Sequence, residues 1–569
     1  MKQVELMVIG GGPAGLCAAL SASSLGVGVL LVERDDFVGG QLVKQTHKFF
    51  GSEKQYAGDR GIHIGQMLLD NAQAEPKIEI WTSSTVLSIY EDDVVTVLHE
   101  GRHVKIKPER IIIATGAAEK FLAFPGNDLP GIYGAGAVQT LMNVDGVKPA
   151  NRVLMVGAGN IGLIVSYQLK QAGVEVVAVI EGSPKIGGYL VHASKIRRAE
   201  IPVLTGYTIL EAYGDGQVEG AVIAQIDSKW QPVPGTERRV ECDTICLAVG
   251  LSPLTELAWQ AGCEMAFIRE LSGHVPIVNE QLESTRPGIY CAGDVSGIEE
   301  ASSAMVEGRL AGAAAALSLG YGGDSARAII EDAEAEITQL RAGPMGVHIR
   351  DGMAKMAAKA EAFGIGGALL HSSEKPAAAT DTAADALGSK DHCAVCGNCA
   401  KPAKKIRSST LISDGIPTKD DVAEVCPPDG RFSKGPVAIA ECFQEIPCNP
   451  CVKACNRSAI AMPGDINDLP RVDFEACNGC GLCISLCPGL AIFVVDKTYS
   501  DDTSLVKLPF EYVPVPKAGE RVRGLDRGGN ELGSFEVIRV SSGGKKNMTY
   551  TVSVAVPHEL AMEVRGIKI

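Results

Sequence analysis

The chain has 569 residues, 46% of them hydrophobic and 21% charged, with a formal charge of −15. That length exceeds one ordinary core and sets an expectation of about three to five domains. The acidity, with a pI near 5.3, gives no basic footprint for nucleic acid or an anionic membrane surface. The uncharged stretch Val153 to Leu169 is short and carries Gly157, Gly159 and Gly162, so it does not read as a membrane span. No charged and then apolar leader precedes the first strand, and the expected location is the cytoplasm.

In chain order, apolar runs at Glu5–Ile9, Gly28–Val32, Arg110–Ala114, Val153–Val156, Glu175–Ile180 and Thr244–Ala248 alternate with glycine turns and helical patterns. This predicts an α/β chain with two Rossmann-like dinucleotide-binding units. In the first, a strand runs into Gly10-Gly-Gly-Pro-Ala-Gly15, then a helix, then a strand ending in Glu33. Gly10 makes the turn, Gly12 lets backbone approach a pyrophosphate, and Gly15 packs helix on strand. The helix N-terminus meets the phosphates, and Glu33 meets the ribose hydroxyls.

Downstream stand Ile113-Ala-Thr-Gly116 and Thr285-Arg-Pro-Gly-Ile-Tyr-Cys-Ala-Gly-Asp294. With the glycine loop, these resemble the signatures of the two-dinucleotide-domain flavoprotein reductases, and Val38-Gly-Gly-Gln41 is similar to their thioredoxin-reductase branch. The resemblance covers roughly the first 320 residues and implies bound FAD. It extends flavin contact to Pro13, Ala14, Gly40, Gln41, Thr115, Gly116, Gly250, Gly293 and Asp294, with Asp294 on the ribitol. One feature departs from that branch. Its redox Cys-x-x-Cys would fall near Ile132 to Asn143, where this chain has no cysteine, so the electrons need another exit. In Gln45-Thr-His-Lys-Phe-Phe-Gly51, His47 and Lys48 are candidate catalytic residues, since a cation beside the isoalloxazine would stabilise reduced flavin. Pairing with acidic neighbours is the other reading of both.

The second unit is Gly157-Ala-Gly-Asn-Ile-Gly162, a helix, and a strand ending in Glu181. In the family it holds the nicotinamide nucleotide, through Gly157, Gly159, Asn160, Ile161, Gly162 and Glu181. An acid at Glu181 with no arginine until Arg197 favours NAD(H) over NADP(H). Gly157-Ala-Gly-Asn-Ile-Gly-Leu-Ile-Val and Val191-His-Ala-Ser-Lys-Ile-Arg-Arg also resemble flavoprotein subunits of amine and amino-acid dehydrogenase complexes, in which this site can be vestigial or take another nucleotide.

A helical stretch, about Ser325 to Phe363, leads to a small-residue linker from Gly364 to Asp391. Twelve of the 17 cysteines then follow between Cys393 and Cys487. Cys477-x2-Cys480-x2-Cys483-x3-Cys487-Pro is the bacterial ferredoxin run, whose fourth cysteine serves the other cluster. Its partner half, Cys448-x2-Cys451-x3-Cys455, has Glu445 where a first cysteine belongs, and Cys442 is the replacement, with an exposed free thiol and a three-cysteine cluster as the alternative. This predicts one [4Fe–4S] cluster on Cys442, Cys448, Cys451 and Cys487 and another on Cys455, Cys477, Cys480 and Cys483. Cys393, Cys396, Cys399 and Cys426 suggest a third cluster, with a zinc knuckle or an intersubunit site as the alternatives. The tail from Lys497 alternates as a small antiparallel β module, either a docking surface or a cover over a cluster.

The expected domains are an FAD domain (1–118 plus 280–323), an NAD(P) domain (119–279), a helical segment with linker (324–391), a ferredoxin-like α+β iron–sulfur domain (392–496) and a small β domain (497–569). The expected function is electron transfer between NADH, FAD and the clusters, to or from a redox partner protein or a catalytic subunit of a hetero-oligomer. Two alternatives stand beside it: an electron-transfer subunit of an amine or amino-acid dehydrogenase complex, and, by resemblance around Gly39-Gly-Gln41, a heterodisulfide-reductase-type bifurcating flavoprotein. Oxygen-sensitive clusters suit anaerobic metabolism.

Overall fold

A computed structural model describes residues 1–365, 407–544 and 547–569. Most of the expected linker, with Cys393, Cys396 and Cys399, lies outside the described residues. The first sheet has seven strands. Ile78–Trp81, Val29–Val32, Lys2–Ile9 and Arg102–Ile113 run parallel, Ile289–Cys291 joins the last of these in parallel, and Val95–His99 and Thr85–Ile89 continue the edge antiparallel. Val29–Val32 is buried at every position, as expected of a parallel strand covered on both faces.

Helix Pro13–Ser24 crosses helix Ala301–Ser318 at close range. A Cβ on Gly308 or Gly312 would collide with the carbonyl oxygens of Ala14 and Ala18, so bare glycines let the backbones touch. The N-termini of both helices therefore open on the same space. A second sheet, all parallel, has the order Val203–Thr205, Glu175–Glu181, Arg152–Val156, Thr244–Leu247 and Ile132–Gly134. A three-stranded antiparallel sheet, Tyr207–Tyr213, Gly220–Gln225 and Arg238–Glu241, accompanies it.

The expected helical stretch is two helices, Gly323–Arg341 and Val347–Ala362. Between them lies Pro344, whose missing N–H cannot continue the first.

The third sheet has seven antiparallel strands in the order Val437–Ala440, Ile492–Asp496, Thr503–Phe510, Tyr550–Pro557, Glu531–Ser542, Arg521–Leu525 and Gly566–Lys568. The division drawn at residue 497 therefore runs through a hairpin. The two cysteine-side strands and the five tail strands share one sheet and one core, in which Val437, Phe493, Val506, Val537 and Val554 are fully buried. Strict alternation in Thr503–Phe510, odd positions half-exposed and even ones buried, gives that strand one inner face.

Candidate functional site: two nucleotide clefts and two thiol groups

The glycine loop of the first unit is shaped as its spacing predicts. Gly10 has φ +104°, and a Cβ there would strike Ala114 O, while one on Gly15 would strike Gly10 O. Gly12 faces open space, with Gly40 Cα 3.9 Å from its virtual Cβ. Glu33 is buried and takes N–H donations from Gly11 (2.7 Å) and Asp35 (2.9 Å), which fixes its carboxylate at the strand end. Gly10, Gly12, Pro13, Ala14, Glu33, Gly40, Gln41, Thr115, Gly116, Gly250, Gly293 and Asp294 line one cavity of about 1100 Å³.

Asp294 tests whether a flavin fits this cradle. Its carboxylate is half-buried on the cavity wall and accepts a hydrogen bond from Glu299 N at 3.3 Å. Burial, opposed by that bond and reinforced by Glu307, Glu299 and Glu300, pushes its pKa up to about 7. A carboxylate on the cavity wall with one long hydrogen bond suits a hydroxyl donor, and a ribitol chain supplies hydroxyls. The fit is good.

The second cleft repeats the first nearly atom for atom. Gly157 has φ +109° and would strike Ala248 O, and Gly162 would strike Gly157 O. Glu181 accepts from Ala158 N (2.9 Å) and Ser183 N (2.8 Å). The repeat extends past the fingerprint: Glu33-Arg-Asp-Asp-Phe-Val-Gly-Gly-Gln-Leu42 matches Glu181-Gly-Ser-Pro-Lys-Ile-Gly-Gly-Tyr-Leu190 at both ends. Gly39 N donates to Gly11 O, and Gly188 N to Ala158 O. Glu-x4-(Val/Ile)-Gly-Gly-x-Leu was a signal present in the sequence. One difference stands out. The Asn160 side chain is engaged, donating to Glu300 Oε1 and accepting from Tyr189 N, both at 2.7 Å, so it ties this unit to the flavin side. Gly159, Asn160 and Ile161 line the same large cavity.

His47 and Lys48 part ways. His47 borders the cavity with a buried, unpartnered Nδ1, and burial, then Lys195 and Arg60, push its pKa down to about 3. The imidazole is therefore neutral and carries no cation to the flavin. Lys48 does not face the flavin cavity. Its ammonium donates to Ser485 O (2.5 Å) and Thr549 Oγ1 and lies 3.7 Å from Glu511. Both expectations of a cation beside the flavin are thus corrected, because the loop turns over at Thr46–Lys48 and sends the long side chain toward the tail sheet. The lysine that lines the cavity is Lys44, bonded to Gly136 O at 3.0 Å. Sequence reasoning missed it, as it missed Arg60, which bonds Glu511 at 3.0 Å and Asn547 O at 2.9 Å.

The described cysteines of the iron–sulfur region gather as the ferredoxin spacing requires. Burial, reinforced by Cys451, Cys487 and Cys442, pushes the Cys448 thiol well up. Burial with Cys477, Cys480, Cys487 and Cys455 pushes Cys483 up to about 12. Cys442, the substitute for the missing first cysteine, stands among the first group. Among the described residues no three His, Cys, Asp or Glu side chains converge where one metal ion could sit. A cubane takes one thiolate on each of four irons. Ala459 N donates to Cys455 Sγ (3.2 Å), and Ala438 N and Ala491 N to Cys477 and Cys487 (3.4 Å each). Cys426 is half-buried against the core that includes Val153, Leu163 and Val422, and its three expected partners lie outside the described residues.

Two contacts join flavin cavity and thiols. Gly51, on the cavity wall, forms a parallel bridge with Cys448 and accepts from Asn449 N at 3.1 Å. Pro447, beside Cys448, itself lines the cavity. Phe50, Tyr189, Ile446 and Ala491 pack with Cys442, Cys448 and Cys487 into one apolar cluster. The segment that leads from strand Val437–Ala440 to Cys442 is anchored from the tail. Glu441 is buried, bound by Arg527 at 2.7 and 3.0 Å and by Arg565 at 2.5 Å. Against the opposing push of burial, Arg565 and Arg527 hold its carboxyl down at about 2.

Residues 4–308 match the family profile described as pyridine nucleotide-disulphide oxidoreductase, and residues 470–493 match the 4Fe-4S binding domain. The chain is 30% identical over 327 residues to one of the subunits of the opine oxidase of Agrobacterium tumefaciens, covering 55% of this chain and 65% of that one. It is 28% identical to hydrogen cyanide synthase subunit HcnB of Pseudomonas protegens, covering 54% and 68%. This chain thus spans about two thirds of each of these relatives. Among solved structures, the thioredoxin reductase of T. acidophilum aligns at TM-score 0.47 and 22% identity, over 56% of this chain and 99% of that one. No described helix is long and apolar enough to cross a membrane. The chain belongs to the pyridine nucleotide-disulphide oxidoreductase family, as an FAD-type oxidoreductase with an iron–sulfur domain on the same polypeptide.

Proposed function

We propose that the chain passes electrons between NADH, FAD and two [4Fe–4S] clusters, to or from a partner redox protein. The observation that carries this reading is the Gly51–Cys448 bridge, which brings a thiol loop onto the wall of the flavin cavity. FAD occupies the first cleft, with its ribose on Glu33 and its ribitol on Asp294. NAD(H) occupies the second, where the carboxylate of Glu181 disfavours a 2′-phosphate. Bound flavin takes an electron pair and gives single electrons, a conversion nicotinamide cannot perform.

Cys442, Cys448, Cys451 and Cys487 hold the inner cluster, and Cys455, Cys477, Cys480 and Cys483 the outer one. Cys480 is exposed, so the outer cluster is the port for a partner. The residues around this path exclude water from it: Phe50, Ile446 and Ala491 are buried between flavin cavity and inner thiols.

An anaerobic titration of the iron-quantified chain with NADH tests the reading. Flavin bleaching followed by cubane EPR signals is the expected result. A second reading is favoured by the relatives, which are subunits of an opine oxidase and of a hydrogen cyanide synthase. In it the chain is the electron-transfer subunit of a complex that oxidises an amine or amino acid in another chain. Flavin that stays oxidised under NADH while dithionite reduces everything would select that second reading.

A further inference from the structure

We propose that Trp230 is a stacking platform for the adenine ring of the nucleotide in the second cleft. The inference rests on reading that cleft as a nucleotide site and adds the residue that recognises the base. Along a dinucleotide bound to this fold, the pyrophosphate meets the helix N-terminus and the ribose meets the acid at the next strand end. The base comes next, beyond Glu181, over Gly182 and Ser183. That is where the indole of Trp230 lies. A Cβ on Gly182 would stand 2.5 Å from its Cζ3, 3.2 Å from Cη2 and 3.3 Å from Cε3, so the ring rests on bare glycine backbone.

Two further observations set this tryptophan apart from ordinary packing. It is 64% exposed, which leaves most of a large apolar ring facing water. Its backbone is left-handed, at φ +62°, a conformation uncommon for a bulky side chain and retained where the surroundings enforce it. The enforcement is visible. Asp227 Oδ1 accepts from Lys229 N (2.8 Å) and Gln231 N (2.9 Å), and Trp230 N donates to Asp227 O (3.0 Å). The hairpin is tied to the cleft through Ile226 N to Gly206 O (2.9 Å) and Gly206 N to Ser183 O (3.0 Å). The indole is thus held at a fixed place beside the ribose carboxylate, with ring surface free for a base. The first cleft carries Arg34 and Asp35 after Glu33, so the platform belongs to the second cleft.

The test is calorimetric binding of NADH, ADP-ribose and reduced nicotinamide mononucleotide to the full, flavin-loaded chain, comparing wild type with Trp230→Ala and Trp230→Phe. Stacking of a base on an aromatic ring predicts that Trp230→Ala weakens NADH and ADP-ribose alike by at least about fivefold. Trp230→Phe should keep most of the affinity, and the mononucleotide, which has no adenine, should not respond. Wild-type affinity for ADP-ribose in Trp230→Ala overturns the inference and leaves the nucleotide site standing. A wild-type chain that retains FAD but binds neither NADH nor ADP-ribose overturns both. Flavin content and melting temperature of each variant show that the exposed substitution leaves the fold intact.

Discussion

The two halves of the chain are held in shape by different means. Up to Ser318 the scaffold is held by backbone packing: parallel strands, glycine loops, and helices that touch through Gly308 and Gly312. From Arg407 onward the short helices and thiol loops pack around a small core that includes Ile460, Ile484, Ile492 and Val494. They are pinned by charged contacts from far along the chain, Glu441 by Arg527 and Arg565, and Glu511 by Arg60 and Lys48. The tail therefore acts as a clamp that fixes the thiol loops against the flavin half. Lys507 bonding Gly479 O at 2.7 Å and Asn547 bonding Ser485 O at 2.8 Å complete the grip on the ferredoxin loops.

The sharpest way to break the comparison is to cut the seam itself. Cys448→Ser removes the thiolate that adjoins Gly51. It should abolish reduction of the remaining cluster by NADH while flavin content and flavin bleaching stay as in wild type, read by absorbance and EPR. Cys480→Ser, at the exposed end, should leave inner-cluster reduction intact. Equal loss in both variants would mean that electrons do not enter at the inner group.

Next in size is the clamp. Glu441→Gln leaves the buried Arg565 without its carboxylate partner and Arg527 with only Glu563, 3.5 Å away, and losses of this kind cost about 3–5 kcal/mol. The expected outcome is a large drop in denaturant midpoint for the transition that includes the tail sheet, with flavin retained by the first half. A drop no larger than that of an exposed substitution such as Glu475→Gln would deny the clamp its role. Glu475 pairs with Lys434 in the open and should cost less than about 1 kcal/mol.

How much was legible in the sequence follows the same division. The glycine loops and the ferredoxin run could be read because their chemistry needs fixed short spacings: Gly10 to Gly15, Cys477 to Cys487. Glu33 and Glu181 followed from where the next strand ends. The direction of Lys48 could not be read. Its partners Ser485 and Thr549 are 437 and 501 residues away, and no local pattern announces them. The same holds for Arg60 with Glu511, 451 apart, and for Arg565 with Glu441, 124 apart. The hairpin across residue 497 was hidden for a milder reason. The change from thiol loops to alternating strands looked like a domain boundary, whereas Ile492–Asp496 and Thr503–Phe510 pair across it.

The most gradual effect belongs to the flavin half and concerns pH. The Asp294 carboxyl is pushed from an ordinary 3.8 up to about 7, chiefly by burial. Between those values the folded, flavin-free chain holds a proton that the unfolded chain has released, so this residue's contribution to stability falls as pH rises through the window. The slope is at most about 1.4 kcal/mol per pH unit for one proton. His47 and His192, whose pKa values burial lowers, act in the opposite sense but are common to wild type and Asp294→Asn, so the difference between the two chains isolates Asp294. In the flavin-free state Asp294→Asn should gain on wild type steadily from about pH 4 to pH 7 and hold its advantage above. Loading with FAD should shrink that advantage, since a ribitol hydroxyl gives the charged carboxylate the donor it lacks. A pH-independent difference in the flavin-free state would mean that Asp294 is ionised there without cost, and the case for its waiting on a hydroxyl donor would fail.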